Sequence, residues 1–203
     1  MVHASPLKLS LVTLFAFAAA ACQTTNPVLV ETTFAPTAAF STHSPGDVAV
    51  LPVEDGTPDG TVRRHLVFLR QEIMRQLPDR RFSPITATTV DAGLRAAAAP
   101  SGESILSPAV LKGLVGHAAE DAVFALRVDK WDETMLAVDK RVRFQFQAVF
   151  VASDGQPLWS GTIQGEVKAG GVGAAPRDLD GMARNCGELA IREMLQRLPH
   201  RLL

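Results

Sequence analysis

Residues 141–151 read Arg-Val-Arg-Phe-Gln-Phe-Gln-Ala-Val-Phe-Val and form the clearest strand pattern in the chain. Every second residue from Val142 to Phe150 is apolar, and arginine and glutamine occupy most of the positions between them. This alternation predicts a strand with one apolar and one polar face. Because burying one phenylalanine side chain contributes about 1.5–3 kcal/mol, we expect helices to cover the apolar face.

Two neighbouring segments alternate in the same way, at residues 122–128 and 159–167. Asp154-Gly155, between the central segment and the later one, is typical of a two-residue hairpin turn. These three segments therefore predict three antiparallel strands, each with one apolar and one polar face.

The first half of the domain has a different pattern. A continuous apolar run at residues 48–53 suits a strand that is buried on both faces. An amphipathic helix follows at 62–77, then a short strand at 82–86 and two further helices, and a last helix at 179–194 closes the chain. The order β-α-β-α-α-β-β-β-α predicts an α/β (α+β) fold, a two- or three-layer sandwich with a mixed sheet of about five strands covered by helices.

The N-terminus begins with a weakly cationic segment, followed by a short apolar run and the small residues Ala19-Ala20-Ala21 before Cys22. The apolar run is too short to cross a bilayer, which needs about 20 apolar residues. Residues 1–21 are therefore identified as a secretory signal peptide. Such a segment can be an ordinary signal peptide, cleaved near Ala21, in which Cys22 follows the cleavage site by coincidence; the alternative is a lipoprotein signal peptide.

Ala19 to Cys22 also resembles the bacterial lipobox, which implies cleavage between Ala21 and Cys22 and attachment of acyl chains, such as palmitate, to Cys22. Gln23 differs from the Asp that resembles an inner-membrane retention signal. We therefore expect a lipid-anchored protein at the outer membrane, facing the periplasm. Residues 22–46, rich in turn formers, are predicted to be a flexible tether, and residues 47–203 a single domain.

Composition narrows the possible functions. The net charge is −1, and nucleic-acid binders usually carry a basic patch or stripe, so we expect no nucleic-acid partner. Cys186 is the only cysteine besides Cys22, and it lies on the apolar stripe of the last helix, so we predict a buried structural thiol.

The acidic residues Glu54, Asp55 and Asp59 do not follow the order of a calcium loop. His65 and His117 have no Cys, His or paired carboxylate at ligand spacing, and no G-x-S-x-G motif surrounds a serine. We therefore predict no metal, no cofactor, no catalytic residues and no enzyme activity.

Four segments in series resemble a known family: residues 47–53 (Asp-Val-Ala-Val-Leu-Pro-Val), 111–116 (Leu-Lys-Gly-Leu-Val-Gly), 121–128 (Asp-Ala-Val-Phe-Ala-Leu-Arg-Val) and 154–161 (Asp-Gly-Gln-Pro-Leu-Trp-Ser-Gly). Over residues 47–168 the chain is similar to small bacterial lipoproteins built on the domain found at the N-terminus of TolB, a group that includes CsgG and LpoB. The resemblance implies an α/β sandwich that binds proteins rather than transforms substrates.

The polar face of the predicted sheet is the best candidate for a binding surface. Tryptophan and arginine are enriched among interface hot spots, and strand alternation places Trp131 on this face. We then expect Trp131→Ala to weaken partner binding and leave thermal unfolding nearly unchanged. A plain solvated face is the alternative. The residues predicted to bind a partner are Arg127, Trp131, Arg141, Arg143 and Gln145.

These observations predict a membrane-anchored periplasmic lipoprotein that is a non-catalytic accessory, assembly or regulatory factor of an envelope protein complex. Its expected partners are membrane lipid, through acylated Cys22, an envelope protein complex and possible further copies of itself. The alternative is a subunit of an oligomeric outer-membrane export channel, which would need membrane-spanning strands of about 9–11 residues. The strand at 141–151 has that length, although a soluble sheet explains it equally well.

Overall fold

The computed structural model describes residues 29–97, 102–170 and 178–202. The predicted signal peptide and Cys22 lie outside the described residues. Single turns of 3-10 helix occur at Ala38–Ser41, Arg63–His65 and Leu77–Arg80. The strands and α-helices follow in the order β1 (Leu29–Thr32), β2 (Ala35–Pro36), β3 (Asp47–Val50), β4 (Glu54–Asp55), α1 (Leu66–Gln76), β5 (Ser83–Pro84), α2 (Ala87–Ala96), α3 (Pro108–Leu114), β6 (Ala122–Asp132), α4 (Leu136–Asp139), β7 (Arg141–Ala152), β8 (Pro157–Lys168) and α5 (Leu179–Leu195).

β7 lies inside a mixed sheet whose strand order is β1-β8-β7-β6-β3-β5, with β2 paired to β8 and β4 to β6. β7 pairs antiparallel with both neighbours, whereas β3 is parallel to β5 and β6. The predicted α+β class is confirmed. The predicted count of about five strands is too low, because the described sheet has eight. β1, β2 and β4 have only two to four residues each, too few for an alternation pattern.

The main core lies between the apolar face of the sheet and helices α1 and α5. Phe144, Phe146 and Phe150 of β7 are at most 1% exposed. The rings of Phe144 and Phe146 lie 4.9 Å apart between centroids, and Phe82 contacts the Phe150 ring edge-on at 5.2 Å. The alternation read from residues 141–151 therefore places this strand correctly, with its aromatic side under the helices.

A buried carboxylate helps to hold α1 against α5. Glu72 is 5% exposed and accepts hydrogen bonds from Arg75 and Gln76 of its own helix. Arg75 also reaches Glu188 of α5, with 3.2 Å between Nη2 and Oε1. Burial by itself raises the pKa of Glu72, but the hydrogen bonds from Arg75 and Gln76 outweigh it and hold that pKa below its usual value. The charge is thus buried without being left unpartnered.

Helices α2 and α3 cover only part of the opposite face of the sheet. They pack on small and aliphatic side chains such as Ala49, Val123, Ala125 and Val151. Farther along β6, β7 and β8 the same face carries polar side chains that are half-buried or exposed. The sandwich has helices on both sides, but its second helical layer is incomplete. No described helix combines the length and the apolar character that a membrane crossing requires.

Residues 29–46 belong to the domain, which corrects the predicted flexible tether of residues 22–46. β1 pairs antiparallel with β8, and β2 pairs antiparallel with an earlier part of β8. Phe34 stacks on Trp159 with 4.1 Å between ring centroids, and Phe40 is 6% exposed. The sequence pattern missed this because the two strands are very short and lie among turn-forming residues. The remainder of the predicted tether, residues 22–28, lies outside the described residues.

Gly161 of β8 allows this N-terminal segment to lie close to the sheet. A Cβ at Gly161 would be 2.6 Å from the Cα of Phe34, and backbone cannot yield as a flexible side chain can. We predict that Gly161→Ala destabilises the protein by about 1–3 kcal/mol, the usual cost of overpacking. Residues 29–46 should also become more sensitive to protease. Urea unfolding and limited proteolysis measure the two effects.

Gly113→Ala in α3 is the matched control. No heavy atom lies within 4 Å of the Cβ that this substitution adds, and alanine favours a helix over glycine by up to about 1 kcal/mol. We expect this variant to be neutral or slightly more stable, with an unchanged proteolysis pattern. Equal stabilities of the two variants would contradict the close contact between Phe34 and β8.

Candidate functional site

The candidate site is the part of the sheet that α2 and α3 leave open, which we call the polar face. Its side chains come from β1, β6, β7 and β8, and the strand register sets them side by side. Four of the five residues predicted for this face lie on it, and all four are half-buried or exposed. The polar face comprises Glu31, Arg127, Lys130, Asp132, Arg141, Arg143, Gln145, Gln147, Thr162, Gln164, Glu166 and Lys168.

Glu166 lies between two arginines of the neighbouring strand. The Nη1 atom of Arg141 is 2.6 Å from Oε1 of Glu166, and the Nε atom of Arg143 is 3.1 Å from Oε2. Hydrogen bonds from Arg143 and Arg141 outweigh partial burial and lower the pKa of Glu166. One carboxylate thus faces two guanidinium groups, and a second carboxylate, Asp132, lies opposite Arg143 on β6.

A cleft of about 580 Å³ opens where β1 meets the polar face. Its lining includes Glu31, Lys130, Arg143, Gln145 and Gln164. Gln164 donates a hydrogen bond to Glu31, with 2.6 Å between Nε2 and Oε2. The cleft therefore offers amide groups and charges of both signs, as the polar parts of protein–protein interfaces do.

Trp131 is not on the polar face, and the prediction that placed it there is wrong. Its side chain is 3% exposed, and its ring lies parallel to that of Phe146 with 6.3 Å between centroids. The cause is a β-bulge between Val128 and Lys130, after which Lys130 pairs with Gln145 and Trp131 with Phe144. One extra residue reverses the alternation, so Asp132, which pairs with Arg143, takes the place predicted for the tryptophan.

The indole of Trp131 joins a hydrogen-bonded group that the sequence did not reveal. Its Nε1 donates to Oε1 of Glu133 at 2.7 Å, and Nε2 of His65 lies 2.8 Å from the same oxygen. Arg64 forms an ion pair with the other oxygen of Glu133. Nδ1 of His65 is buried without a hydrogen-bond partner, and Arg64 Nε lies 3.0 Å from His65 Nε2. His65 and Glu133 are 68 residues apart in sequence, so no local spacing could have indicated their contact.

A second cavity, of about 540 Å³, lies beside this group. Two of its carboxylates, Asp59 and Asp132, accept hydrogen bonds from Thr61 and Thr134 in local turns. Within the described ranges, no group of three or more His, Cys, Asp or Glu side chains is arranged to hold a metal ion. The cavity is therefore polar, and Asp59 and Asp132 are already engaged in local hydrogen bonds.

The acidic loop after β3 does not bring its side chains together. Glu54 accepts hydrogen bonds from the Ser104 hydroxyl and from the Ile105 backbone, at 2.8 and 2.9 Å, and so ties down the loop before α3. Asp55 instead accepts hydrogen bonds from Thr57. Burial raises the pKa of Asp55, but the bonds from Thr57 outweigh it and the pKa is lowered. Both acids hold the chain in place.

Cys186 is fully buried in the main core, which confirms the predicted buried thiol. Burial raises the pKa of the Cys186 thiol to about 12. Because the thiolate is the reactive form of cysteine, Cys186 is unreactive at neutral pH. Ala21 and Cys22, the predicted cleavage and lipidation residues, lie outside the described residues.

No protein-family model matches the sequence, and no curated protein sequence matches it significantly. Several solved structures are similar to this chain. Lipoprotein GNA1162 from Neisseria meningitidis is 19% identical, and the alignment covers 76% of this chain and 99% of that one, with a TM-score of 0.46. The resemblance to the TolB N-terminal domain and CsgG stays a prediction.

Two further solved structures are similar at lower identity. The PelC dodecamer from Paraburkholderia phytofirmans is 15% identical, with coverage of 86% of this chain and 100% of that one and a TM-score of 0.45. The C-terminal domain of LpoB from Escherichia coli is 14% identical, with coverage of 64% and 93% and a TM-score of 0.40.

Since Trp131 lies in the core, we now expect its removal to affect stability. We predict that Trp131→Ala destabilises the protein by about 3–5 kcal/mol, the usual cost of truncating a buried tryptophan. Trp131→Phe keeps an aromatic ring but leaves Glu133 without the indole donor, so we expect a smaller loss of about 1–3 kcal/mol. Equilibrium unfolding in urea measures both. Wild-type stability of Trp131→Ala would contradict the buried position.

Glu133 makes the stability of this region sensitive to acid. Burial alone would raise the pKa of Glu133, but the hydrogen bonds from His65 and Trp131 and the charge of Arg64 lower it. The stabilisation by Glu133 is therefore complete above the pKa of the unfolded chain and is lost as pH falls through the folded pKa.

We predict that Glu133→Gln is less stable than the wild type at neutral pH, because the glutamine carries no charge for Arg64. This difference should shrink as pH falls below about 4, where the unfolded carboxyl becomes protonated first, and should vanish once the folded carboxyl is protonated too. Urea unfolding of both proteins across this pH range measures it. A difference that stays constant with pH would contradict the proposed role of the Glu133 charge.

Proposed function

We propose that this chain is a lipoprotein anchored through acylated Cys22 to the periplasmic side of the outer membrane, and that it binds an envelope protein complex as a non-catalytic accessory factor. The anchor is supported by the lipobox resemblance at Ala19 to Cys22. Two or more acyl chains suffice to hold a protein on a membrane. The role that follows is to keep a binding domain at the membrane surface.

The binding role rests on one observation, the incomplete helical layer over the second face of the sheet. β7 and β8 have 12 residues each, yet α2 and α3 cover only one part of them, and the polar face remains open beside its cleft. Arg127, Arg141 and Arg143 supply planar donor groups there. Arginine is enriched in protein–protein interfaces, so the partner that we propose is a folded envelope protein.

Histidines are the residues most often used for acid–base catalysis, and each histidine within residues 29–97, 102–170 and 178–202 makes a contact within the chain. These contacts join His43 to Asp154, His65 to Glu133, His117 to the Gly113 carbonyl and His200 to Arg80.

The rival proposal is a subunit of an oligomeric export channel. The sequence feature in its favour was the length of the strand at residues 141–151. In the described sheet this strand is β7, and its apolar side packs under α1 and α5. Pairing inside the sheet accounts for the length of β7, so we favour the accessory factor. The native mass of the delipidated protein separates the two, because a ring of many copies would support the channel.

Reversing one charge on the polar face tests the binding role. Arg143→Glu places a second carboxylate beside Glu166. We predict that the tagged, acylated chain carrying this change recovers about tenfold less of its co-purifying envelope proteins from detergent-solubilised membranes, equivalent to roughly 1.4 kcal/mol of binding free energy. Quantitative mass spectrometry of the captured proteins measures the loss.

Arg95→Glu is the matched control, because Arg95 is exposed on α2, outside the polar face, and undergoes the same change of charge. This variant should recover the same proteins as the wild type. Arg95→Glu should keep the wild-type unfolding temperature. Arg143→Glu should lower it by only a few degrees, because it replaces a surface ion pair with facing carboxylates, so both variants remain folded during the capture. Equal recovery by Arg143→Glu and Arg95→Glu would reject the polar face as the binding surface.

A further inference from the structure

The chain enters the described sheet at one defined end. β1 begins at Leu29, which is paired with Glu166 near the end of β8. β7 begins at the same end, because Arg141 is paired with Lys168. We call this the anchor end of the domain, defined by Leu29, Arg141 and Lys168. The opposite end carries Gly46, whose backbone N–H donates to Asp121 at 2.8 Å.

The connection between this end and Cys22 is short. Only residues 23–28 separate Cys22 from Leu29, so even a fully extended chain spans about 25 Å, at roughly 3.3–3.6 Å per residue. The 12 residues of β7 extend over about 40 Å. The connection is thus shorter than the sheet is long, and it joins the sheet at the anchor end.

Large apolar side chains are exposed at this same end. Within the described residues, four of the five exposed large apolar side chains are found there, and we call these four the apolar rim. Val138 is 77% exposed, Val67 70% and Leu179 51%. The apolar rim consists of Val67, Met135, Val138 and Leu179.

Contacts with the ends of the strands place the apolar rim. Met135 and Val138 lie in the connection from β6 to β7. Val67 lies two residues after His65, and the His65 ring contacts Glu133, which belongs to the β6–β7 connection. Leu179 begins α5, and Asn185, farther along this helix, accepts a hydrogen bond from the Gly170 backbone at 2.8 Å, just after β8. All three chain segments therefore meet at the anchor end.

The fifth exposed apolar side chain, Leu202, lies at the opposite end of the domain. Its carbonyl accepts a hydrogen bond from the Ser44 hydroxyl at 2.5 Å. Ser44 lies two residues before Gly46, which marks the opposite end. Leu202 is 58% exposed, so it resembles the rim residues in exposure and differs from them in position. It offers a matched control within the same chain.

We propose that the apolar rim rests on the phospholipid surface to which Cys22 is anchored. The proposal builds on the acylation of Cys22 proposed above. The short connection brings the anchor end to the headgroup layer, where exposed apolar side chains gain by partial burial among the acyl chains. Lys140, exposed at the same end, can reach lipid phosphates, although the neighbouring Asp139 offsets part of its attraction. The polar face then stands at an angle to the membrane, open to the periplasm.

A single fluorescent label on the full acylated chain tests this contact. Val138→Cys introduces one reactive thiol, because the Cys22 sulfur carries lipid and Cys186 is buried. The labelled protein is reconstituted into vesicles of phosphatidylethanolamine and phosphatidylglycerol that contain spin-labelled lipid, which quenches only nearby labels. Leu202→Cys, labelled in the same way, is the control.

We expect the label at position 138 to lie about 5–10 Å inside the headgroup boundary and to be quenched at least about twofold more than the label at 202. Equal, weak quenching at both positions, with the protein bound to the vesicles, overturns the proposal and leaves the anchor intact. Shielding at 138 that needs added membrane proteins also overturns it, in favour of a protein contact. Failure to bind vesicles, together with a protein mass that lacks lipid, overturns the acylation and this proposal together.

Discussion

The burial of the aromatic side of β7 is the constraint on which the rest of the structure depends. From Val142 to Phe150, every second side chain of this strand is at most 1% exposed. Pairing with β6 and β8 satisfies its backbone on both sides, and α1 and α5 exclude water from its apolar face. Burial of apolar surface is the dominant favourable term in folding, so the order of strands and helices follows from covering this strand.

The sequence predicted the parts of the fold in which a pattern persists over many residues. β6, β7 and β8 have 11 or 12 residues each, and their alternation indicated both the strands and their faces. The pattern failed at Trp131, because a bulge of one residue reverses the alternation after Val128. It also failed at β1, which is too short to show a period, and at the contact of Glu133 with His65, which only the tertiary fold creates.

Because residues 29–46 belong to the domain, the connection from the domain to the proposed anchor at Cys22 is short. A flexible connection of 24 residues would span roughly 27 Å as a random coil and leave the domain free to rotate. In the proposed acylated protein, the six residues between Cys22 and Leu29 would instead restrict which end of the sheet approaches the membrane. The Phe34–Trp159 stack would then have a functional consequence, because it fixes where the described domain begins.

The acylation of Cys22 is the central claim, and the mass of the intact protein tests it most directly. We predict that protein extracted in detergent from its native membranes begins at Cys22 and carries the added mass of a diacylglyceryl group, with or without a further acyl chain on its amine. A mature chain that begins at any other residue, or that begins at Cys22 with a free thiol, would contradict this account.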